Sequence, residues 1–162
     1  MMVINEMAPS EDPPNKAEAP FSIRRMRPED YGTVAAIWKA ADLPHQPQGR
    51  DSEMRVREQL EKDISLYLVA ESDGEVIGSL LVTHDFRKGW LNRLAVRPDR
   101  QGRGVASSLV RRAEKDLLAR GVGIFAVQIH GHNLTSRRLF KKLGYDEHED
   151  IVYCSRRISP DE

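Results

Sequence analysis

The chain reads as a single α/β (α+β) domain, with a mixed, mostly antiparallel sheet carrying helices on both faces. Three observations lead there. The period of the apolar residues switches along the chain in the order β-α-α-β-β-β-α-β-α-β-β. Asp73-Gly74 sits between two strand-like runs, a two-residue hairpin signal. The apolar run Leu94-Ala95-Val96 stops at Pro98-Asp99, passes through a glycine- and arginine-rich loop, and enters an amphipathic helix at once. At 162 residues, one domain with a real core is expected.

Residues 1–20 are rich in Pro, Glu and Ala without periodicity and read as a disordered tail. The folded domain is expected over 21–158, with 159–162 as a short C-terminal tail. Phe21 to Met26 alternates like a first strand. Arg27-Pro28-Glu29-Asp30 opens a helix, because proline suits the first turn and the acids suit its dipole. Tyr31, Val34, Ala35, Trp38 and Ala41 form the apolar stripe of that helix. Proline and glycine keep Leu43 to Ser52 a loop, and a charged helix follows from about Ser52 to Asp63. Leu66–Glu71 and Glu75–Thr83 are hairpin strands. Arg87-Lys88-Gly89 turns into a central strand, Trp90–Val96.

The helix from Gly104 to Arg120 buries Ala106, Leu109, Val110, Ala113 and Leu117, and Gly121 ends it. Arg111, Arg112, Glu114, Lys115 and Asp116 read as its solvated face. Ile124–Ile129 is the next strand. After Asn133, a short helix puts Ser136, Leu139, Phe140 and Leu143 on one face, with Gly144 suited to its left-handed stop. Tyr145 onward supplies a last pair of strands. Cys154, in the strand-like run Ile151-Val152-Tyr153-Cys154, is expected to be a buried, inert thiol.

Composition excludes several function classes. Basic and acidic residues balance at 25 each, so neither nucleic acid nor an anionic membrane is an expected partner. No apolar run approaches the roughly 20 residues of a membrane span. There is no basic segment followed by an apolar one at the N-terminus, and a single cysteine suits a reducing compartment. A cytoplasmic protein is expected, as a monomer or a homodimer joined through its final strands.

The strand, glycine loop and helix start form an anion site. Glycines admit a phosphate close to the backbone, and the N–H groups and dipole of the first helical turn point at it. The Walker loop is excluded because Gly-Lys-Ser/Thr is missing. The dinucleotide fingerprint is excluded because Ser107 stands where its third glycine would be.

Gln101-Gly102-Arg103-Gly104-Val105-Ala106 resembles the Gln/Arg-x-x-Gly-x-Gly/Ala loop of the GNAT N-acetyltransferases. Asn133-Leu134-Thr135-Ser136-Arg137-Arg138-Leu139-Phe140-Lys141-Lys142-Leu143-Gly144-Tyr145 resembles the second hallmark of that family. The two occur in the family's order, and the resemblance spans about 21–158. It implies the GNAT fold with a splayed central strand pair, and acetyl-CoA as co-substrate. It also implies cofactor contacts from Leu94, Ala95 and Val96, from Gln101, Gly102, Arg103, Gly104, Val105 and Ala106, and from Asn133, Ser136 and Phe140. An N–H near Leu94 would polarise the thioester carbonyl.

Acetyl transfer to an amine needs a neutral amine, a donor for the oxyanion, and relief for the leaving thiolate. The family's usual acid is a tyrosine at the position of Phe140, which has no proton to give. Tyr145 and Tyr153 are other phenols, each with a simple core or sheet reading. Where one branch of the family has a glutamate five residues before the motif asparagine, this chain has Gln128. Candidate bases are His84, Asp85, His130 and His132, with Asn92 as a water-holding group. Each histidine also reads plainly as a solvated loop residue. Arg87, Lys88, Trp90 and Arg93 form a basic-aromatic cluster, read either as an acid-binding patch or as a hairpin tip with one buried Trp. His45 and Arg50 lie in the loop where the family builds its acceptor cleft. An acetyl-CoA-dependent N-acetyltransferase is the leading reading. A non-catalytic acyl-CoA-binding or sensing module is the alternative.

Overall fold

Short turns and alternating strands build the first part of the sheet. The computed structural model describes residues 21–159; the expected tail over 1–20 and most of that over 159–162 lie outside them. Strand β1 (Ser22–Arg25) leads through a 3-10 turn at Pro28–Asp30 into helix α1 (Tyr31–Ala40). Helix α2 (Glu53–Leu60) follows the loop, and the Ser52 hydroxyl accepts from the Arg55 N–H at its start. Strands β2 (Leu68–Ser72), β3 (Glu75–His84) and β4 (Gly89–Val96) form a meander. A second 3-10 turn, Pro98–Arg100, precedes α3 (Val105–Leu118), then β5 (Phe125–Val127) and α4 (Leu134–Lys142).

The sheet order is β1-β2-β3-β4-β5. The first three pairings are antiparallel, and β4–β5 is parallel. A parallel pair needs a crossover, and α3 is that crossover. The sheet is mixed and mostly antiparallel, as the sequence predicts.

Both faces are covered, so the strands carry apolar residues on both sides. Leu66, Leu68 and Ala70 join a core under α3, while Tyr67 and Val69 join one under α1. Val105, Leu109, Val110, Ala113 and Leu117 of α3 fill the first core, together with Phe140 of α4. Val34, Ile37 and Trp38 of α1, with Val56 of α2, fill the second. Each fully buried side chain of this kind contributes roughly 1.5–3 kcal/mol.

Two expectations fail at the C-terminal end. No strand forms among the described residues after α4. Ile151, Val152 and Tyr153 are 67%, 82% and 68% exposed, and Cys154 is exposed rather than buried. Their strand-like composition marks a fit to a half-buried pleated surface and does not itself create a pairing partner. The acidic run from Asp146 to Asp150 is solvated, and Glu147 is drawn to Arg137 of α4 at 2.5 Å. The expected strand 124–129 shortens to Phe125–Val127, because it pairs with β4 only over Gly89–Leu91.

Gly89 marks the tightest packing between β4 and α3. A Cβ there would lie inside van der Waals contact with both methyl groups of the fully buried Leu117. Gly89→Ala is therefore expected to cost about 1–3 kcal/mol, measured by urea denaturation. Leu117→Ala alone is expected to cost about 2–5 kcal/mol, and the double variant less than the sum.

Candidate active site

The site begins where β4 stops sharing its edge with β5. Ser79 pairs with Ala95 and Leu81 with Asn92, so Leu80 faces both Arg93 and Leu94: a β-bulge. Arg93 adopts a left-handed φ of +55° there. Pairing with β5 ends at Leu91↔Val127, immediately before the bulge. From Asn92 to Val96, β4 is hydrogen-bonded on the β3 side alone among the described strands. This is the splayed pair that the resemblance implies.

Both following helices start at the carboxyl ends of these two parallel strands. Helix α3 begins at Val105 after Gly104, and α4 begins after Asn133, whose side-chain oxygen accepts from the Ser136 N–H at 3.1 Å. The leading N–H groups of a helix lack intrahelical acceptors, and its dipole adds positive potential there. Gly102 and Gly104 have φ of +75° and +79°, and a Cβ at either would meet open space. Only glycine holds such a backbone without strain. The flanking side chains brace the loop. Gln101 donates to the Val96 carbonyl at 3.0 Å, and Arg97 donates to Asp99 and Glu75. Residues 101–104 stay exposed.

The remaining candidates divide between the two ends of β4. His130 and His132 are exposed and stack at 5.5 Å just before α4, on the same side as the glycine loop. The His130 carbonyl accepts from the Asn133 N–H. Asn92 is exposed at the bulge, with its amide 3.4 Å from the Trp90 carbonyl. Asp85 lies at the β3–β4 hairpin tip, roughly 25 Å from the glycine loop along β4. Its carboxylate accepts from the Arg87 and Lys88 N–H groups at 2.9 and 2.8 Å. The Lys88 and Arg87 bonds hold it below the usual carboxylate range, which weakens it as a base. His84 is buried beside it, its Nδ1 accepting from the Phe86 N–H.

Phe140 is buried, with Tyr145 edge-on at 4.9 Å. The Tyr145 hydroxyl donates to Glu114 at 2.7 Å. Burial, and then that bond, push its phenol far up. Tyr145 thus packs, partly buried, against the core, whereas Tyr153 is exposed and in no described strand.

The basic-aromatic cluster separates. Lys88 sits 5.3 Å over the Trp90 ring, which is half-buried rather than buried. Arg93 turns away to Asp51, with Nε and Nη2 donating to the two carboxylate oxygens at 3.0 and 2.6 Å. Its Nη1 donates to the Pro44 carbonyl at 2.8 Å. Asp51 is 5% exposed and also accepts from the Gln46 N–H at 2.7 Å. His45 is folded edge-on against Trp38 at 5.8 Å. Sequence reasoning missed the Arg93–Asp51 pair because the residues are 42 apart and share no local pattern.

The raised phenols give a pH dependence. Burial is the main cause that pushes Tyr67 up to about 12, and Tyr145 lies higher still. Their neutral forms are favoured in the fold, so this stability is full below about pH 10, the unfolded value. It falls as pH rises from there through the folded values. Urea denaturation at pH 9 to 11.5 is expected to show that decline, less steeply in Tyr145→Phe. At pH 7, Tyr145→Phe is expected to cost about 1 kcal/mol.

Solved structures with this architecture are numerous. An aminoglycoside N-acetyltransferase, AAC(6')-Iy, in complex with a bisubstrate analogue of CoA and acetylneamine, aligns with TM-score 0.74 and 21% identity over 86% of this chain and 99% of that one. The ribosomal-protein alanine N-acetyltransferase from Escherichia coli gives 0.69 and 20% over 79% of each chain. PaiA N-acetyltransferase from Thermoplasma acidophilum, in complex with coenzyme A, gives 0.68 and 18% over 76% and 88%. The model of the acetyltransferase (GNAT) family matches residues 33–145, which is most of the described domain, and the chain belongs to that family.

Proposed function

We propose that this protein transfers an acetyl group from acetyl-CoA to an acceptor amine, by direct attack within one ternary complex. The observation that carries the reading is the convergence of the Gln101–Ala106 loop and two helix N-termini beside a half-unpaired strand. The co-substrate supplies an activated acyl carbon and a thiolate leaving group. The residues present fit it. The open backbone at Gly102 and Gly104, with Arg103, Val105 and Ala106, suits a pyrophosphate. The edge over Leu94, Ala95 and Val96, which pairs with no described strand on the β5 side and whose Val96 carbonyl is held by Gln101, suits an amide-bearing arm. Asn133 and Ser136 would flank that arm from the start of α4, and Phe140 lies in the core beneath.

In this reading, an N–H near Leu94 donates to the thioester oxygen. His130, exposed beside Asn133, takes the amine proton directly or through a water held near Asn92. No phenol is available as acid at the usual position, since Phe140 is buried there. The thiolate then leaves unassisted, which a thiol pKa near ~8.5 tolerates.

The scarcity of obvious acid and base groups favours an acceptor with a low pKa. A lysine-like amine is only ~0.04% neutral at pH 7, a cost of roughly 4.6 kcal/mol. An α-amine is ~10–17% neutral and loses little more than ~1 kcal/mol. The similar structures include enzymes named for both aminoglycoside and ribosomal-protein alanine acceptors, so neamine and an alanine-ended peptide are the first amines to try. The lone Cys154 accords with work in a reducing cytoplasm. A second reading, a non-catalytic acyl-CoA sensor, is favoured by Phe140 and Gln128.

The test is release of free CoA thiol across a panel of amines, with acetyl-CoA binding measured on the same sample. Binding with turnover is expected, and the rate with an α-amine should level off near pH 8. Binding without turnover across the panel supports the sensor. Gly104→Val forces a branched side chain into a left-handed backbone at the phosphate loop. It should weaken acetyl-CoA binding at least tenfold by calorimetry. Unchanged affinity would contradict the role of the loop.

A further inference from the structure

We propose that Arg93 and Asp51 are positioning residues for the acceptor. Their ion pair would tie the loop between α1 and α2 to the β4 bulge and so hold the acceptor against the thioester. The proposal rests on the acetyltransferase reading and on that loop forming part of the acceptor cleft.

Four observations support the tether. The pair is two-pronged, at 2.6 and 3.0 Å, with side chains only 19% and 7% exposed. Such a fork fixes both distance and angle, unlike a single contact between flexible surface charges. Each partner is also bound to backbone of the loop. Arg93 reaches the Pro44 carbonyl, and Asp51 receives the Gln46 N–H, so both ends of the turn are gripped. The Tyr31 hydroxyl holds the Asp51 carbonyl at 2.8 Å, joining the loop to α1. Finally, Ser79 accepts from Trp38 at 3.0 Å and lies 3.4 Å from the Arg93 carbonyl, bracing the bulge from within the core.

Arg93 is therefore two devices in one residue. Its backbone, at φ +55°, makes the bulge at which β4 leaves β5. Its side chain holds the loop on the opposite face of the sheet from the glycine loop and α3. The strand that would present the thioester and the loop that would present the amine share a single anchor. Attack needs the two reacting atoms within a few tenths of an ångström of the right separation, so a slack anchor should reduce acceptor use much more than co-substrate binding.

Asp51→Asn, Arg93→Lys and Arg93→Gly test this, since glycine keeps the left-handed backbone and removes the side chain alone. Amide hydrogen exchange in peptides covering 43–52 is expected to quicken at least tenfold in Asp51→Asn and Arg93→Gly, less in Arg93→Lys, and not at all in α3. With neamine and the alanine-ended peptide as acceptors, acceptor KM should rise at least tenfold while the dissociation constant of acetyl-CoA moves less than twofold. The double variant Asp51→Asn/Arg93→Gly should be no worse than either single one. Unchanged exchange over 43–52, exchange that quickens evenly across the domain, an unchanged acceptor KM, or an equal loss of acetyl-CoA affinity would each overturn the proposal. If the unsubstituted protein binds no acetyl-CoA, the functional reading fails with it, while local quickening of exchange would still show that the tether exists.

Discussion

Among the described strands, β4 has β5 as a neighbour over Gly89–Leu91 and β3 alone beyond. The site depends on that change. A buried strand edge without partners is costly, because its N–H and C=O groups must still be satisfied. A protein keeps such an edge when a ligand or solvent can satisfy it. The bulge at Arg93–Leu94 bends the strand just where the edge opens, and the glycine loop follows at its end. A pairing defect, a left-handed arginine and a helix start thus follow one another along the end of β4.

The two cores hold this arrangement rigid. Helix α3 covers one face and cannot shift without disturbing Leu109, Val110 and Leu117, all fully buried. Its N-terminus is therefore fixed relative to β4. On the other face, Trp38 lies wholly buried and bonds to Ser79 directly behind the bulge. Dense interiors transmit such constraints because they have few voids to absorb movement. Loop 43–52 is pinned by the buried Asp51 carboxylate, with Leu43 against the second core and His45 edge-on to Trp38.

Much of the fold was legible because its signals are local. Asp73-Gly74 declared the hairpin, the proline at position 28 marked the entry to α1, and Gly144 ends α4 at φ +90°. The α1 stripe holds at Tyr31, Val34, Trp38 and Ala41 but omits Ile37, which is buried, whereas Ala35 is only half-buried. The final strands were misread because Ile151–Cys154 has strand composition without a partner, and pairing is a property of two segments. In the Gln101–Ala106 loop, the left-handed backbone at Gly102 and Gly104 was legible since only glycine takes it without strain. The Arg93–Asp51 pair was not, since nothing near either residue signals a partner so distant in sequence. The cluster of Arg87, Lys88, Trp90 and Arg93 misled for a related reason. Lys88 and Trp90 do meet, but Arg93 sits in the bulge and is drawn to Asp51, so adjacency in sequence is not adjacency in space.

The central claim is that the open edge of β4 and the glycine loop together receive acetyl-CoA. Titration of the isotopically labelled protein with acetyl-CoA, followed through its backbone amide resonances, tests it most directly. The account predicts the largest shifts at Leu94–Val96, at Gly102–Ala106 and at the start of α4. Saturable binding with shifts confined to other surfaces, such as α2, would contradict it, as would no shift at all.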